Sequence, residues 1–219
     1  MKQPHPTTTR LLTASDPRAV QETAAAILKG DLVVFPTDTL YGVGTNAFDQ
    51  EAIMRLYAAK ERPLDKGIPI LLADLVGVEK VAVSIPAIAS KLIAKFWPGP
   101  LTLILPKRSD LPNSISMNES VAVRIPDSKV ARAVIRAAGG AVATSSANRS
   151  GSRAAQTAEQ ALQDLGGRVS IVLDAGPTGQ SVPSTIIDCS GETIRILRQG
   201  PIKLHDLRAV DAGYQWATS

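Results

Sequence analysis

Polar segments that directly follow apolar runs hold the side chains with the clearest chemical potential in this sequence of 219 residues. PTDTLYG (36–42), SSANRSG (145–151) and RQG (198–200) each come after such a run, and Arg124 ends the run VAVR. In open α/β sheets, ligands bind in the crevice at the strand ends. We therefore expect these segments to converge on one ligand site.

The segment KERPLDK (60–66) brings three cations, Lys60, Arg62 and Lys66, close together in the chain. Acidic side chains at positions 61 and 65 offset part of this charge, and cations at a helix end also complement the helix dipole. One interpretation is therefore a solvated helix end. The other is a phosphate site, because a guanidinium can grip a phosphate through two hydrogen bonds while lysine supplies a compact charge.

SSANRSG places small hydroxyl and amide groups around Asn148, and Gly151 allows the backbone to approach a ligand closely. Such a loop can cradle a phosphate or a ribose, although it can equally be a plain strand-to-helix turn. Neither a Walker-type GxxxxGK[ST] sequence nor a GxGxxG fingerprint is present. In PTDTLYG, likewise, Thr37 and Thr39 can satisfy turn amides and Tyr41 can be a core aromatic.

Histidine and cysteine usage argues against several kinds of catalytic site. The two histidines, His5 and His205, lie near the ends of the chain, so Ser–His–Asp or Cys–His catalysis would need a terminal segment folded into the site. The single cysteine, Cys189, excludes an intramolecular disulfide and a multi-cysteine zinc or iron–sulfur site. We assign Cys189 no catalytic role.

The overall composition indicates one globular domain. Hydrophobic residues make up 44% and charged residues 20% of the chain, and the net charge of +4 suits anionic partners such as nucleotides or RNA without requiring them. The start MKQPHPTTTR lacks the apolar core of a signal peptide, and no apolar run is long enough for a membrane helix. We expect a cytoplasmic protein.

Apolar runs and turn residues alternate along the chain. This pattern predicts a mixed, mainly open α/β sheet with antiparallel pairing near the C-terminal end. Helix signals include capping residues at Ser15, Asp49 and Asp127 and closing glycines at Gly30 and 139–140. The predicted helices cover 15–28, a segment from 49 to the KERPLDK region, 74–80, 86–96, 129–138 and 157–165. The predicted strands are 32–35, 68–73, 101–106, 121–126, 141–144 and 170–176, with a hairpin of 184–190 and 193–199.

Seven motifs, in this order, resemble the threonylcarbamoyl-AMP synthase family, whose catalytic unit is the YrdC-like domain. They are PTDTLYG, the Lys-x-Arg of KERP, FWPGPLTLIL, VAVRIP, SSANRSG, PSTIID and ILRQG. The resemblance covers residues 10–200 and implies a YrdC-like single domain there, a twisted open mixed parallel/antiparallel α/β sheet flanked by helices, with a basic concave ligand-binding face. Residues 1–9 would be a flexible N-terminus and 201–219 a C-terminal tail, as in the short, single-domain family members.

The resemblance implies an L-threonylcarbamoyladenylate synthase, a nucleotidyltransferase. It would condense L-threonine, bicarbonate or CO2, and ATP with Mg2+ into threonylcarbamoyl-AMP and pyrophosphate. A partner, the tRNA-modifying threonylcarbamoyl transferase complex, would then form threonylcarbamoyladenosine in tRNA. One alternative is a non-catalytic module that binds double-stranded RNA or tRNA through phosphate contacts. Another is carbamoyl transfer in a different pathway, although such relatives sit in longer chains with zinc-finger and acylphosphatase modules.

Carried over position by position, the resemblance also implies roles for individual residues. The implied catalytic residues are Lys60 and Arg62. The sequence departs from the family pattern at Lys66, Leu71 and Gln156, where many relatives carry asparagine, histidine and a hydroxyl residue, respectively. The implied L-threonine contacts are Thr39, Arg124, Ser146 and Ser184, and the implied ATP contacts are Arg62, Lys66, Ser120, Asn148 and Arg198.

Overall fold

A computed structural model of the chain describes residues 8–179, 182–191, 193–211, 213–214 and 216–218. Eleven strands form one sheet in the order β1-β8-β2-β3-β7-β4-β6-β5-β9-β10-β11. Parallel and antiparallel pairs both occur, as in β2 with β8 and β2 with β3. The predicted mixed α/β sheet flanked by helices is therefore confirmed. Within these ranges, no helix is long and apolar enough to cross a membrane.

The strands and helices alternate along most of the chain. The strands are β1 Arg10–Thr13, β2 Val33–Pro36, β3 Tyr41–Asn46, β4 Ile70–Leu72, β5 Leu101–Pro106, β6 Ser120–Arg124, β7 Ala141–Ser146, β8 Ile171–Asp174, β9 Thr185–Asp188, β10 Ile194–Arg198 and β11 Trp216–Thr218. The helices are α1 Ala19–Leu28, α2 Gln50–Lys60, α3 Ala87–Phe96, α4 Lys129–Ala137, α5 Ala158–Leu165 and α6 Leu204–Arg208, with a 3-10 helix at Leu75–Lys80.

The central strands are buried on both faces. Because successive side chains of a strand point to opposite faces, Val34 joins one hydrophobic cluster while Val33 and Phe35 join the other. Helices α1 and α4 contribute to the smaller cluster, and α2, α3 and α5 contribute to the larger one. Helices thus lie on both sides of the sheet, which explains why β2 and β4 are continuous apolar runs.

Capping residues fix several helix starts. Asp49 accepts a hydrogen bond from the backbone N–H of Ala52, as predicted. The prediction that Asp127 caps α4 is wrong, because the Ser128 hydroxyl accepts from the Ala131 N–H instead. Helix α1 also begins later than predicted, at Ala19, and Ser15 does not cap it. A short polar side chain caps α2 and α4, whereas the N-cap of α1 is Arg18, which makes no capping hydrogen bond. Which residue takes the cap position depends on backbone angles that the sequence leaves open.

Three strands and one helix were not predicted. Strand β3 begins inside PTDTLYG, so the polar stretch between β2 and β3 is a tight turn rather than a long loop. Strand β1 pairs with β8, helix α6 follows β10, and β11 pairs with β10. The predicted hairpin of β9 and β10 is antiparallel. Of the segments named above, positions 1–7, 180, 181, 192, 212, 215 and 219 lie outside the described residues.

Candidate active site

A cleft of about 650 Å³ opens on one face of the sheet. Alternate residues of neighbouring strands form its floor, for example Ile104 of β5 and Ala122 of β6, which are partners in the strand register. Loops at the strand ends form its walls. The predicted site residues that line it are Thr39, Arg62, Ser120, Arg124, Ser146, Asn148, Ser184 and Arg198.

Arg124 ends β6, lines the cleft and is only 5% exposed. Its Nε donates to the Gly99 carbonyl at 2.9 Å, its Nη1 donates to the Thr39 hydroxyl at 3.0 Å, and its Nη2 forms an ion pair with Asp38. Burial lowers the pKa of Arg124, and the Asp38 charge opposes that shift. The guanidinium is therefore held rigidly, with the turn between β2 and β3 as its main partner.

The turn between β2 and β3 is also stabilised from within. The Thr37 hydroxyl donates to the Leu40 carbonyl at 2.7 Å and accepts from the backbone N–H groups of Thr39 and Leu40. Thr37 thus has the turn role that the sequence offered as one interpretation. Tyr41, fully buried, donates its hydroxyl to the Gly176 carbonyl at 2.7 Å, and burial raises its pKa to about 12. It is a core residue.

A second polar cluster lies where β5, β9 and β10 meet. The hydroxyls of Ser184 and Thr102 share a hydrogen bond of 2.7 Å, and Arg198 donates to the Ser184 hydroxyl at 3.1 Å and to its carbonyl at 2.9 Å. Loss of surrounding water, followed by the nearby Arg124 charge, lowers the pKa of Arg198. Arg124 and Arg198 come from separate strands and line the same cleft.

Arg62 lies just beyond the end of α2 and folds back on the loop that follows. Its Nε donates to the Lys66 carbonyl at 2.9 Å and its Nη2 to the Gly67 carbonyl at 2.8 Å. The Tyr57 hydroxyl supports the same loop by donating to the Lys66 carbonyl at 3.0 Å. The Lys66 side chain is exposed and does not line the cleft.

Lys60 is buried beneath the loop between β7 and α5, with only 1% exposure, and does not line the cleft. Its ammonium donates to the backbone carbonyls of Ser146 and Asn148, and its own carbonyl accepts from the Ser150 N–H at 2.8 Å. Burial, and then the charge of Arg62, lower the pKa of Lys60 to about 7. Lys60 therefore supports the SSANRSG loop from below.

Asn148 fixes the same loop from within. Its side-chain nitrogen donates to the carbonyls of Arg149 and Ser152, both at 2.8 Å. Its side-chain oxygen is buried and has no hydrogen-bond partner among the described residues. An unpaired buried acceptor costs free energy unless a ligand supplies the donor. The oxygen is therefore a candidate ligand contact.

The charged side chains among the described residues that line the cleft are all positive. The described residues that line it include no aspartate, no glutamate and no histidine, whereas four arginines line it: Arg62, Arg124, Arg153 and Arg198. Arg153 was not among the predicted site residues, because a single arginine after SSANRSG has no pattern that distinguishes it from a surface charge. Of the departures named above, Leu71 lines the cleft and Gln156 does not.

The groups assigned no catalytic role in the sequence lie away from this cleft. Cys189 is buried, and burial raises the pKa of its thiol to about 12, so the reactive thiolate is suppressed. His205 is exposed on α6, and position 5 is outside the described residues. Within the described ranges, no group of three or more His, Cys, Asp or Glu side chains could hold a metal ion.

Comparison with known proteins gives a consistent match. The Sua5/YciO/YrdC family model, described as telomere recombination, matches residues 25–200. A protein of Bacillus subtilis named threonylcarbamoyl-AMP synthase is 40% identical over 91% of this chain and 58% of its own length. A Vibrio cholerae protein of the same name is 30% identical over 83% of this chain and 97% of its own length.

A solved structure agrees with these matches. The crystal structure of Pyrococcus abyssi Sua5 complexed with L-threonine superposes with a TM-score of 0.89 and 34% identity, covering 96% of this chain and 62% of that one. The chain thus spans little more than half the length of the Bacillus subtilis relative and under two thirds of the Pyrococcus abyssi chain.

Proposed function

Because the chain belongs to the Sua5/YciO/YrdC family, we propose that it is an L-threonylcarbamoyladenylate synthase. As a nucleotidyltransferase, it would condense L-threonine, bicarbonate or CO2, and ATP into threonylcarbamoyl-AMP and pyrophosphate. The observation that carries this proposal is the cleft with four arginines and no acidic side chain among its described lining residues. Fixed cations in a site of lowered dielectric offset the repulsion between an anionic nucleophile and a polyphosphate.

The reaction requires no imidazole base at the step that joins the two anions. The amine nitrogen of threonine bonds to the carbon of CO2 and loses a proton, which gives a carbamate. A carbamate oxygen then attacks the α-phosphorus of ATP, the bond to the bridging oxygen breaks, and pyrophosphate leaves. The nucleophile is already charged, so the protein's task is to position it and to stabilise charge. The lining arginines suit that task.

L-Threonine is assigned to the part of the cleft around Arg124. Arg124 has five N–H donors, and its three protein contacts leave donors for the substrate carboxylate. The hydroxyls of Thr39 and Ser184 are buried beside arginine donors, and Ser146 lines the cleft on the β7 side. These positions support the roles that the family resemblance implies for them.

ATP is assigned to contacts with four lining residues, Arg62, Ser120, Asn148 and Arg198. The unpaired side-chain oxygen of Asn148 would accept a hydrogen bond from a hydroxyl or amino group of the nucleotide. Arg62 remains a candidate for stabilising charge on the phosphates. Direct contacts of Lys60 and Lys66 with ATP stay predictions, since neither side chain lines the cleft.

Magnesium is assigned to the substrate rather than to the protein. The described lining residues offer hydroxyl, amide and guanidinium groups but no carboxylate. Mg2+ is commonly held by substrate phosphates together with few protein ligands. We therefore place it with the phosphates of ATP, where it would neutralise part of their charge.

The product would serve tRNA modification. A threonylcarbamoyl transferase complex would take up threonylcarbamoyl-AMP and pass the threonylcarbamoyl group to an adenosine of tRNA. Such a substrate would place the enzyme in the cytoplasm. Direct binding of tRNA or double-stranded RNA by this chain stays a prediction.

The test is pyrophosphate release from ATP by the purified protein, with L-threonine and bicarbonate omitted in turn. We expect release only when both are present. Release that continues without either substrate would contradict the proposal. Salt-sensitive binding of duplex RNA without threonine-dependent release would instead support the non-catalytic RNA-binding alternative.

A further inference from the structure

Arg153 differs from the other arginines of the cleft because its guanidinium is free. Arg62 donates to two backbone carbonyls, Arg124 donates to three protein groups, and Arg198 donates to both oxygens of Ser184. Arg153 makes no hydrogen bond and no ion pair with any residue in the described ranges, although it lines the same cleft. It therefore adds a positive charge that no hydrogen bond or ion pair from the described residues offsets.

The backbone on both sides of Arg153 is nevertheless fixed. The Ser152 carbonyl accepts from the Asn148 side chain at 2.8 Å, and the Ser152 N–H donates to the Arg149 carbonyl at 3.0 Å. On the other side, Ala155 is buried and its carbonyl accepts from the Tyr41 N–H at 2.9 Å. These contacts hold the start of the side chain at the cleft and leave its charged end unrestrained.

A free guanidinium at the edge of a cation-lined cleft suits a highly charged, extended ligand. Its planar fork matches phosphate oxygens, and it can bind them without first breaking a protein contact. Arg62 and Arg198 would have to share their donors between the ligand and the carbonyls that they already hold. Arg153 should therefore strengthen the binding of a polyphosphate chain more than the binding of a single phosphate, which the fixed arginines would hold.

We propose that Arg153 is a further nucleotide-binding residue, which contacts the terminal phosphates of ATP beyond the α-phosphate. The inference rests on the proposed function in that it places ATP in this cleft. It differs from the family resemblance, which assigned no role to Arg153. Because the side chain is exposed and unrestrained, its contribution should be that of a peripheral cation rather than that of a buried anchor.

The test compares Arg153→Gln with a matched control, Arg149→Gln. Arg149 lies in the same loop and is likewise exposed, but it does not line the cleft. Equilibrium binding of ATP and of AMP is measured for both variants and the unaltered protein. We expect Arg153→Gln to weaken ATP binding roughly two- to fivefold, as for an exposed charge pair. AMP binding by this variant, and ATP binding by Arg149→Gln, should be unchanged.

Three outcomes would overturn the inference: unchanged ATP binding by Arg153→Gln, an equal loss of ATP and AMP binding, or an equal effect of the two variants on ATP. A short RNA duplex serves as a second probe, and weaker binding of that duplex with unchanged ATP binding would assign Arg153 to an RNA surface instead. Thermal unfolding should be the same in all three proteins.

If the proposed function is wrong, the experiments give a different result from the one expected if only the role of Arg153 is wrong. In that case the unaltered protein would bind ATP but release pyrophosphate without dependence on threonine or bicarbonate. The difference between ATP and AMP binding in Arg153→Gln would still decide whether this residue holds the terminal phosphates.

Discussion

Two loops border the cleft, and each is held by one buried cation from another element. The turn between β2 and β3 is held by Arg124 of β6, which contacts Asp38 and Thr39. The loop between β7 and α5 is held by Lys60 of α2, which contacts the carbonyls of Ser146 and Asn148. In both cases a residue distant in sequence fixes a polar segment through hydrogen bonds.

The two cations differ in their partners and in their access to the cleft. Arg124 has a carboxylate partner and lines the cleft, whereas Lys60 has only neutral carbonyl partners and lies beneath its loop. Burial lowers the pKa of both side chains, but only in Arg124 does a paired carboxylate oppose the shift. We infer that Arg124 serves the site directly, through its remaining donors, and that Lys60 serves it by positioning the loop that bears Ser146 and Asn148.

The largest effect is expected from Arg124→Gln. Removing a charge-assisted contact with the threonine carboxylate should weaken threonine binding by about 1.5–3 kcal/mol. The variant also leaves the Asp38 carboxylate without its partner, and breaking a buried ion pair typically costs about 3–5 kcal/mol of stability. Threonine titration of pyrophosphate release, together with urea unfolding, measures the two losses separately.

The double variant Asp38→Asn with Arg124→Gln separates the structural role of the pair from its role in binding. Removing both charges should recover most of the lost stability, because no unpaired carboxylate remains. Threonine binding should stay weak, because the donor is still missing. Recovery of threonine dependence in the double variant would show that Arg124 acts only by holding the turn.

Lys60→Met should cause a smaller loss than Arg124→Gln, and this loss should concern the binding of both substrates. It leaves two carbonyls without a donor, at about 1–3 kcal/mol of stability, partly offset because no charge is then buried. Since Ser146 and Asn148 lie on the same loop, we expect the apparent affinities for threonine and ATP to fall together. Hydrogen exchange of the amides at 146–152 should become faster.

A direct role of Lys60 at the phosphates predicts a different pattern. Turnover would fall at saturating substrate while the amides at 146–152 kept their protection. Lys60→Arg is a useful companion, because arginine keeps a charge but does not fit the space of the lysine ammonium beneath the loop. We expect this variant to resemble Lys60→Met rather than the unaltered protein.

The sequence predicted the elements whose signals are local. Apolar runs located β2, β4 and β5, and Asp49 located the start of α2. Strand β3 was missed because Gly42 and Gly44 are unusual in a strand interior. Both glycines are explained by close packing against β7, where an added Cβ would lie within 3.0 Å of Thr144 side-chain atoms. That proximity depends on strand pairing and is not visible in the sequence.

Most of the predicted site residues line the cleft, and their individual roles stay predictions. Arg124 and Asp38 are far apart in the chain, so their ion pair depends on the tertiary fold. Lys60 and Arg62 are two positions apart and were given one role, yet the end of α2 directs Lys60 beneath the SSANRSG loop and leaves Arg62 at the cleft. A charge pattern alone does not show which side of a loop each cation occupies.

The smallest expected effect comes from the protonation of Lys60. It sharpens the comparison between the two buried cations, because Arg124 stays charged. The pKa of Lys60 falls from an ordinary 10.5 to about 7 because of burial and the Arg62 charge, with Asp164 opposing the shift. Between these values the unfolded chain binds a proton that the folded protein has lost. The free energy of unfolding should therefore rise with pH in this window, by at most about 1.4 kcal/mol per pH unit.

The useful pH range for this measurement is about 7 to 7.5, because the Cys189 thiol of the unfolded chain, with an ordinary pKa of about 8.5, is still mostly protonated there, and the Tyr41 phenol is protonated in both states. Above it, their pKa values of about 12 in the folded protein would make stability fall as pH rises. The slope is measured by urea unfolding and compared with Lys60→Met, which should lack this contribution. Equal slopes would mean that the two carbonyl acceptors keep Lys60 charged despite its burial. A neutral Lys60 amine still has two N–H donors for the same two carbonyls. Even where the free energy of unfolding of the unaltered protein rises more steeply with pH than that of Lys60→Met, hydrogen exchange of the amides at 146–152 in the unaltered protein should therefore not become faster.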